Sequence, residues 1–269
     1  MRAALASVVA ATTLAAGFAR AEPAETNVEA ALAALAARLD PRVATTLERI
    51  DGAGRRLLAA RAYLRAGAQL GERWSWSAEQ AAAFEDTAEK RALDAAVARV
   101  RCVFKSRHPG YTLWVNPEFR SLDLQLTRWN ENPGVGLAAA NLLTAVEQAA
   151  AAGIIDTPDG VAALREFLLA HVPAPVPPLA APGLSPHGRL RAVDFQVESA
   201  GRIVAGTDTA SIETAWIQDR WKERLREAVA AADAGFEGPL ASPDEPWHYE
   251  FRPQPGSEET PLPTACDAT

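Results

Sequence analysis

Only two cysteines, Cys102 and Cys266, occur in 269 residues, so no disulfide framework can hold the chain and a buried core must do so. The pair leaves two readings open, a bridge between the C-terminal end and the body or two free thiols. No apolar run reaches the roughly 20 residues that cross a bilayer, so the mature chain is expected to be soluble, with no transmembrane span. No basic stripe is present either. With 27 Lys+Arg against 34 Asp+Glu, the net charge of −7 excludes a protein that holds nucleic acid by its phosphates. No internal repeat is visible. What is plentiful is apolar: 48% of residues, enough for one sizeable core or a core plus a helical subdomain.

The N-terminus reads as an address. Met1 and Arg2 open a short positive region, Ala3 to Phe18 is uncharged, and Ala19-Arg20-Ala21 places small residues at the −3 and −1 positions of a cleavage site. Residues 1–21 are therefore expected to be a signal peptide and the protein to be periplasmic. Removing Arg2 and Arg20, with no acid, takes the net charge from −7 to −9.

The fold class expected is α+β: a small antiparallel sheet packed with helices, preceded by a helical N-terminal portion over 22–107. Asp40-Pro41 supplies an N-cap with proline at N1 for a helix running toward Gln69. Ser77 and Gln80 form a capping-box signature for a helix to about Arg107. A core over 108–253 opens with a strand at Tyr111–Val115. A helix follows from Leu122 to Trp129, then a helical insertion at about 135–171 and a proline-rich loop from Pro173 to Pro186, expected to lie extended against the surface. Strands are expected at Leu190–Val197, Arg202–Ala205 and Trp247–Phe251, with one long helix ending at Gly235. Residues 254–269 read as a disordered tail.

Strand parity turns two segments into chemistry. Val193, Phe195 and Val197 share one face of their strand, which leaves Asp194 on the other. Trp247, Tyr249 and Phe251 likewise leave His248 opposite. His187 precedes the first strand and can fold over the same site. Two imidazoles and one carboxylate, with a fourth position open, make the ligand set of a catalytic zinc site. Glu245, three residues before His248, is close enough to accept a proton from water there. Because Pro246 cannot extend a ladder through its nitrogen, Glu245 is expected in the loop above the strand end. His108 and His171 carry no motif.

These residues carry a resemblance. Ser185-Pro186-His187-Gly188-Arg189-Leu190-Arg191-Ala192-Val193-Asp194, followed about 50 residues later by Glu245-Pro246-Trp247-His248, resembles the zinc D-alanyl-D-alanine carboxypeptidases of the vancomycin-resistance type. That family also holds D-Ala-D-Ala dipeptidases, L,D-carboxypeptidases and phage L-alanyl-D-glutamate endopeptidases. Its pattern is Ser-x-His-x-x-Gly-x-Ala-x-Asp, then Glu-x-x-His, with Tyr-Arg-Ser and a Gln upstream. The upstream part stands here as Phe119-Arg120-Ser121 with Gln125, and the likeness spans about Tyr111 to Pro253.

The resemblance implies that His187, Asp194 and His248 bind Zn²⁺ and that Glu245 is the general base. It implies that Arg120 steadies the scissile carbonyl and that Ser185, Ser121 and Gln125 lie near substrate. Leu190 stands where the family has glycine, so its backbone is expected to avoid positive φ. Phe119 replaces the usual tyrosine. Arg189 and Arg191 either attract substrate carboxylates or are solvated strand-edge charges. The function expected is a zinc peptidase that cuts next to a D-amino acid in peptidoglycan stem peptides. The alternative is a non-catalytic peptidoglycan-binding protein with the same fold.

Overall fold

A computed structural model describes residues 24–116, 119–155, 160–232 and 234–252. The expected signal peptide 1–21, the tail from 254 and Cys266 lie outside the described residues, and with them the question of a Cys102–Cys266 bridge.

The protein is α+β. Helix α1 (Ala24–Ala36) leads to α2 (Pro41–Glu48), whose first turn is set by Asp40: its carboxylate accepts from the Arg42 N–H, and Pro41 occupies N1. The single helix expected to Gln69 is interrupted at Asp51-Gly52, where Gly52 takes φ +72°, and α3 (Ala53–Ala66) starts afresh. A short α4 (Leu70–Arg73) and an extended stretch follow. Ser77 and Gln80 then close the full capping box on α5 (Ala78–Phe84). The helix expected to run from there to Arg107 is also two. Thr87 accepts from the Lys90 N–H and caps a new 20-residue helix, α6 (Ala88–Arg107).

Strand β1 (Tyr111–Val115) has the expected bounds. Ser121 caps α7 (Leu122–Glu131). Asn132 ends α7 and caps α8 (Pro133–Ala151), so the Asn-Pro-Gly sequence is a joint between helices. After α9 (Gly160–Ala170) comes the proline-rich stretch, whose Ala174 carbonyl accepts from the Asn141 amide on α8. Its end is not superficial: Ala181 to Leu184 are buried, and the Pro182 carbonyl accepts from the Tyr63 hydroxyl at 2.7 Å.

The sheet is built on β2 (Ala192–Ser199). β1 lies along its C-terminal half, pairing Tyr111 with Ser199 and Val115 with Phe195. On its other edge β2 changes partner, meeting β3 (Arg202–Ala205) at Val197 to Ser199 and β7 (His248–Phe251) at Ala192 to Asp194. Between them in sequence, the expected long helix is instead a π-helical segment, Ile212–Gln218, and α10 (Trp221–Ala232), separated by Arg220 at φ 58°. Strand β4 (Phe236–Glu237) adds to β7, and β5 (Leu240–Ala241) with β6 (Asp244–Glu245) makes a separate two-stranded ribbon.

Two cores result. One joins α1, α2 and α3 to α7, α8 and α9, so the N-terminal helices and the expected insertion form one helical layer. Gly54 lets α3 approach α8 closely: a Cβ there would lie 2.6 Å from the Ala139 carbonyl oxygen. The other core holds the inner sheet face, α10 and α6. A boundary at 107 therefore groups α6 with the wrong partners, since Ala96, Val100 and Phe104 are fully buried against the sheet core. Among the described residues no helix is long and apolar enough to cross a membrane.

Candidate metal centre

Register, not loop conformation, brings the first two site residues together. Asp194 on β2 and His248 on β7 are direct cross-strand partners, so their side chains leave the sheet on the same face. The adjacent pair, Val193 and Tyr249, points to the opposite face and is buried in the second core. His187 arrives on a 3₁₀ turn, Pro186–Arg189.

That turn ends in a conformation the sequence argues against. Leu190 sits at φ 54°, ψ 23°, in the left-handed region, where a non-glycine residue costs about 1–2 kcal/mol. Two hydrogen bonds close the turn, from the Leu190 N–H to the His187 carbonyl and from the Arg191 N–H to the Pro186 carbonyl, and the leucine side chain packs on the second core. The expectation that Leu190 avoids positive φ is thus corrected: the closing hydrogen bonds impose that backbone shape on a leucine.

The three side chains are more than nine-tenths buried. His187 Nε2 lies 3.1 Å from His248 Nδ1 and 3.2 Å from Asp194 Oδ1, and His248 Nδ1 lies 3.1 Å from the same oxygen. Donor atoms held at 2.0–2.2 Å around a tetrahedral ion are separated by about 3.3–3.6 Å, and this near-equilateral triangle, a few tenths of an ångström tighter, could hold a metal ion. No other group of three such residues is brought together among the described residues. Electrostatics agree with the geometry. Burial pushes the His187 imidazole down to about 4 despite the pull of Asp194, which leaves its nitrogen lone pair unprotonated at neutral pH. Burial alone would raise Asp194, but hydrogen bonds from both histidines and the charge of Arg120 hold it below the usual carboxylate range.

Arg120 donates from its guanidinium to Asp194 Oδ2 and also lines the cleft beside the histidines. Its first contact is thus the ligand carboxylate, not an empty carbonyl-binding position. Such outer contacts orient a ligand and typically matter about 10–100-fold in metal affinity. Arg120→Ala is therefore expected to weaken metal binding by about that factor while the fold persists. Titration of metal-free wild-type and variant protein with a competing chelator measures this; equal affinities would return Arg120 to a role on substrate alone.

Glu245 lies at the same cleft, its Oε2 3.6 Å from His248 Nδ1. It stands in β6, paired with Leu240, and not in the free loop that Pro246 suggests. Burial is the main effect on its carboxyl and raises its pKa. Ser185 lines the cleft wall. Gln125 lines the cleft and Ser121 does not, and both are hydrogen-bonded within the protein. The Ser121 hydroxyl caps α7 through the Leu124 N–H, and Gln125 is a buried strut. Its amide donates to Ser75 Oγ and the Arg120 carbonyl and accepts from the Gly183 N–H. It ties the arginine loop, the segment before α5 and the end of the proline-rich stretch to one another.

Gly188, next to His187, fits under this strut. A Cβ there would lie 2.1 Å from Ser75 Oγ and 2.6 Å from the Gln125 amide nitrogen. Gly188→Ala is expected to cost about 1–3 kcal/mol of stability, as overpacking does, and to displace His187. Calorimetry and metal stoichiometry check it; an unchanged unfolding temperature would show that the strut yields freely.

The cleft, about 360 Å³, runs between the Val176–Ala180 stretch and the β5–β6 ribbon. Arg73 and Arg128 from the helical layer face it, and neither carries a sequence signal. Arg189 and Arg191, which sequence places beside the site, line a different cavity. No protein-family model matches the chain, and no curated protein or solved structure is significantly similar to it.

Proposed function

We propose that this chain is a zinc peptidase acting on a peptide bond next to a D-amino acid in peptidoglycan stem peptides, and that it is exported to the periplasm. The observation that carries the reading is the buried His187–Asp194–His248 triangle with a carboxylate, Glu245, beside it and not part of it. A structural site has no use for that fourth group, whereas hydrolysis needs a proton acceptor near the ligands. Zinc, which His187, Asp194 and His248 would hold, would supply Lewis acidity and lower the pKa of water to about 7.

The protein's own residues supply the rest. Asp194 and the two imidazoles hold the metal, Arg120 holds Asp194 and presents a positive charge to the cleft, and Glu245 takes a proton from the attacking water and returns it to the leaving amine. The motif likeness over Tyr111 to Pro253 supplies the substrate class, and the alanine-rich N-terminus supplies the address. The test is mass spectrometry of purified muropeptides incubated with zinc-loaded protein. Loss of one alanine, loss of a dipeptide or separation of cross-linked dimers each supports the reading and names the bond. No cleavage of any stem peptide, with metal bound, replaces it by a binding protein.

A further inference from the structure

A second and larger cavity, about 690 Å³, shares no lining residue with the metal cleft. Its walls bring together Arg42, Arg189 and Arg191 with Trp74 and Trp76, and Glu72 is the only acid among its lining residues. Three arginines thus gather against one lining acid in a chain of net charge −7, two of them neutralised by Asp40 and Glu89 behind the wall.

The three guanidiniums are not equivalent. Arg42 is paired with Asp40 and stacks over the Trp74 ring, 5.5 Å from its centroid. Arg191 is paired with Glu89 and lies 5.9 Å from the Trp76 centroid. These contacts hold two forks in fixed planes against indole faces. Arg189 differs: its hydrogen bond goes to the backbone carbonyl of Glu72, an uncharged acceptor. Its Nε is buried with no hydrogen-bond partner among the described residues. No carboxylate is ion-paired with Arg189 among the described residues, so its fork, beside a second guanidinium, is the one a planar anion would complete.

Size refines the chemistry. The cavity lies within the roughly 300–1,000 Å³ of organic-ligand sites and is far larger than a bare inorganic ion requires. Its apolar wall, Trp76 with Leu122, suits a carbon skeleton. We propose that this cavity binds a small carboxylate-bearing organic ligand, with its carboxylate on Arg189 and Arg191 and its body against Trp76. The site is independent of the peptidase reading.

The test uses the full chain, treated with chelator so that the metal cleft cannot capture carboxylates. Calorimetric titration with glucuronate, N-acetylglutamate and benzoate, and with glucose as the uncharged control, is expected to show saturable binding of at least one acid and none of glucose. Arg189→Gln and Arg191→Gln are each expected to weaken that binding at least tenfold, with folding checked by circular dichroism and unfolding temperature. Three outcomes overturn the proposal: no saturable binding of any acid, binding that survives in both glutamine variants, or binding lost in Arg120→Ala, which places the ligand in the metal cleft.

Discussion

His187→Ala and His248→Ala are each expected to abolish stoichiometric metal binding, leaving about one ion per chain only in the wild type. Contacts outside the ligand set typically matter about 10–100-fold in metal affinity, so loss of a ligand should weaken binding by at least the upper figure. Burial sharpens the expectation. All three groups are more than nine-tenths buried, and no other group of three such residues is brought together among the described residues. Elemental analysis after dialysis reads the result directly. Stability gives a second readout, because a ligand that binds only the folded state adds about 2.7 kcal/mol at 100 times its Kd. Chelator should therefore lower the unfolding temperature of the wild type and leave the alanine variants unmoved. Full metal content in both variants would remove the triangle from consideration as a metal site.

Glu245→Gln carries the second large effect, and it separates hydrolysis from binding. The substitution keeps size and shape in β6 and removes only the proton acceptor, so fold and metal content should survive. Positioned proton transfer is worth typically about 10²–10⁴-fold, and cleavage of muropeptides should fall by that much. The pH profile adds a sign. A base works only when ionised, so the rate declines as pH falls through the Glu245 pKa, and burial places that pKa above the ordinary 4.5. That acid limb of wild-type activity should disappear in the glutamine variant. Equal cleavage by both proteins would show that another group moves the proton.

Much of this arrangement is legible in the sequence where local rules operate. Asp40-Pro41 and Ser77 with Gln80 start helices where the residues say they should, because a cap is a short-range hydrogen bond. The strands around Asp194 and His248 can be read because alternation reports which face is buried, and the register then makes them partners. What escapes is partly local competition between signals and partly decided at a distance. Thr87 restarts a helix that periodicity runs straight through, and Gly52 breaks another. Leu190 adopts a positive φ because closing hydrogen bonds and packing outweigh a local penalty that sequence reasoning takes as decisive. Arg73 and Arg128 reach the cleft from the helical layer, a relation that no spacing along the chain encodes. Gln125 is visible as a motif residue, yet its three partners come from segments 50, 5 and 58 residues away.

That strut has a practical consequence for anyone shortening the chain. A fragment cut at the apparent boundary of 108–253 would keep every ligand and the base, and would look complete on paper. It would also discard α6, on which the sheet is packed, together with the backbone donors of Ser75 and Trp76 that hold the Gly183 and Gly188 carbonyls. The turn carrying His187 would then swing free of the platform that aims it. A fragment that keeps the site as it stands therefore has to begin before Ser75, and the candidate metal centre belongs to the junction of both cores rather than to the sheet alone.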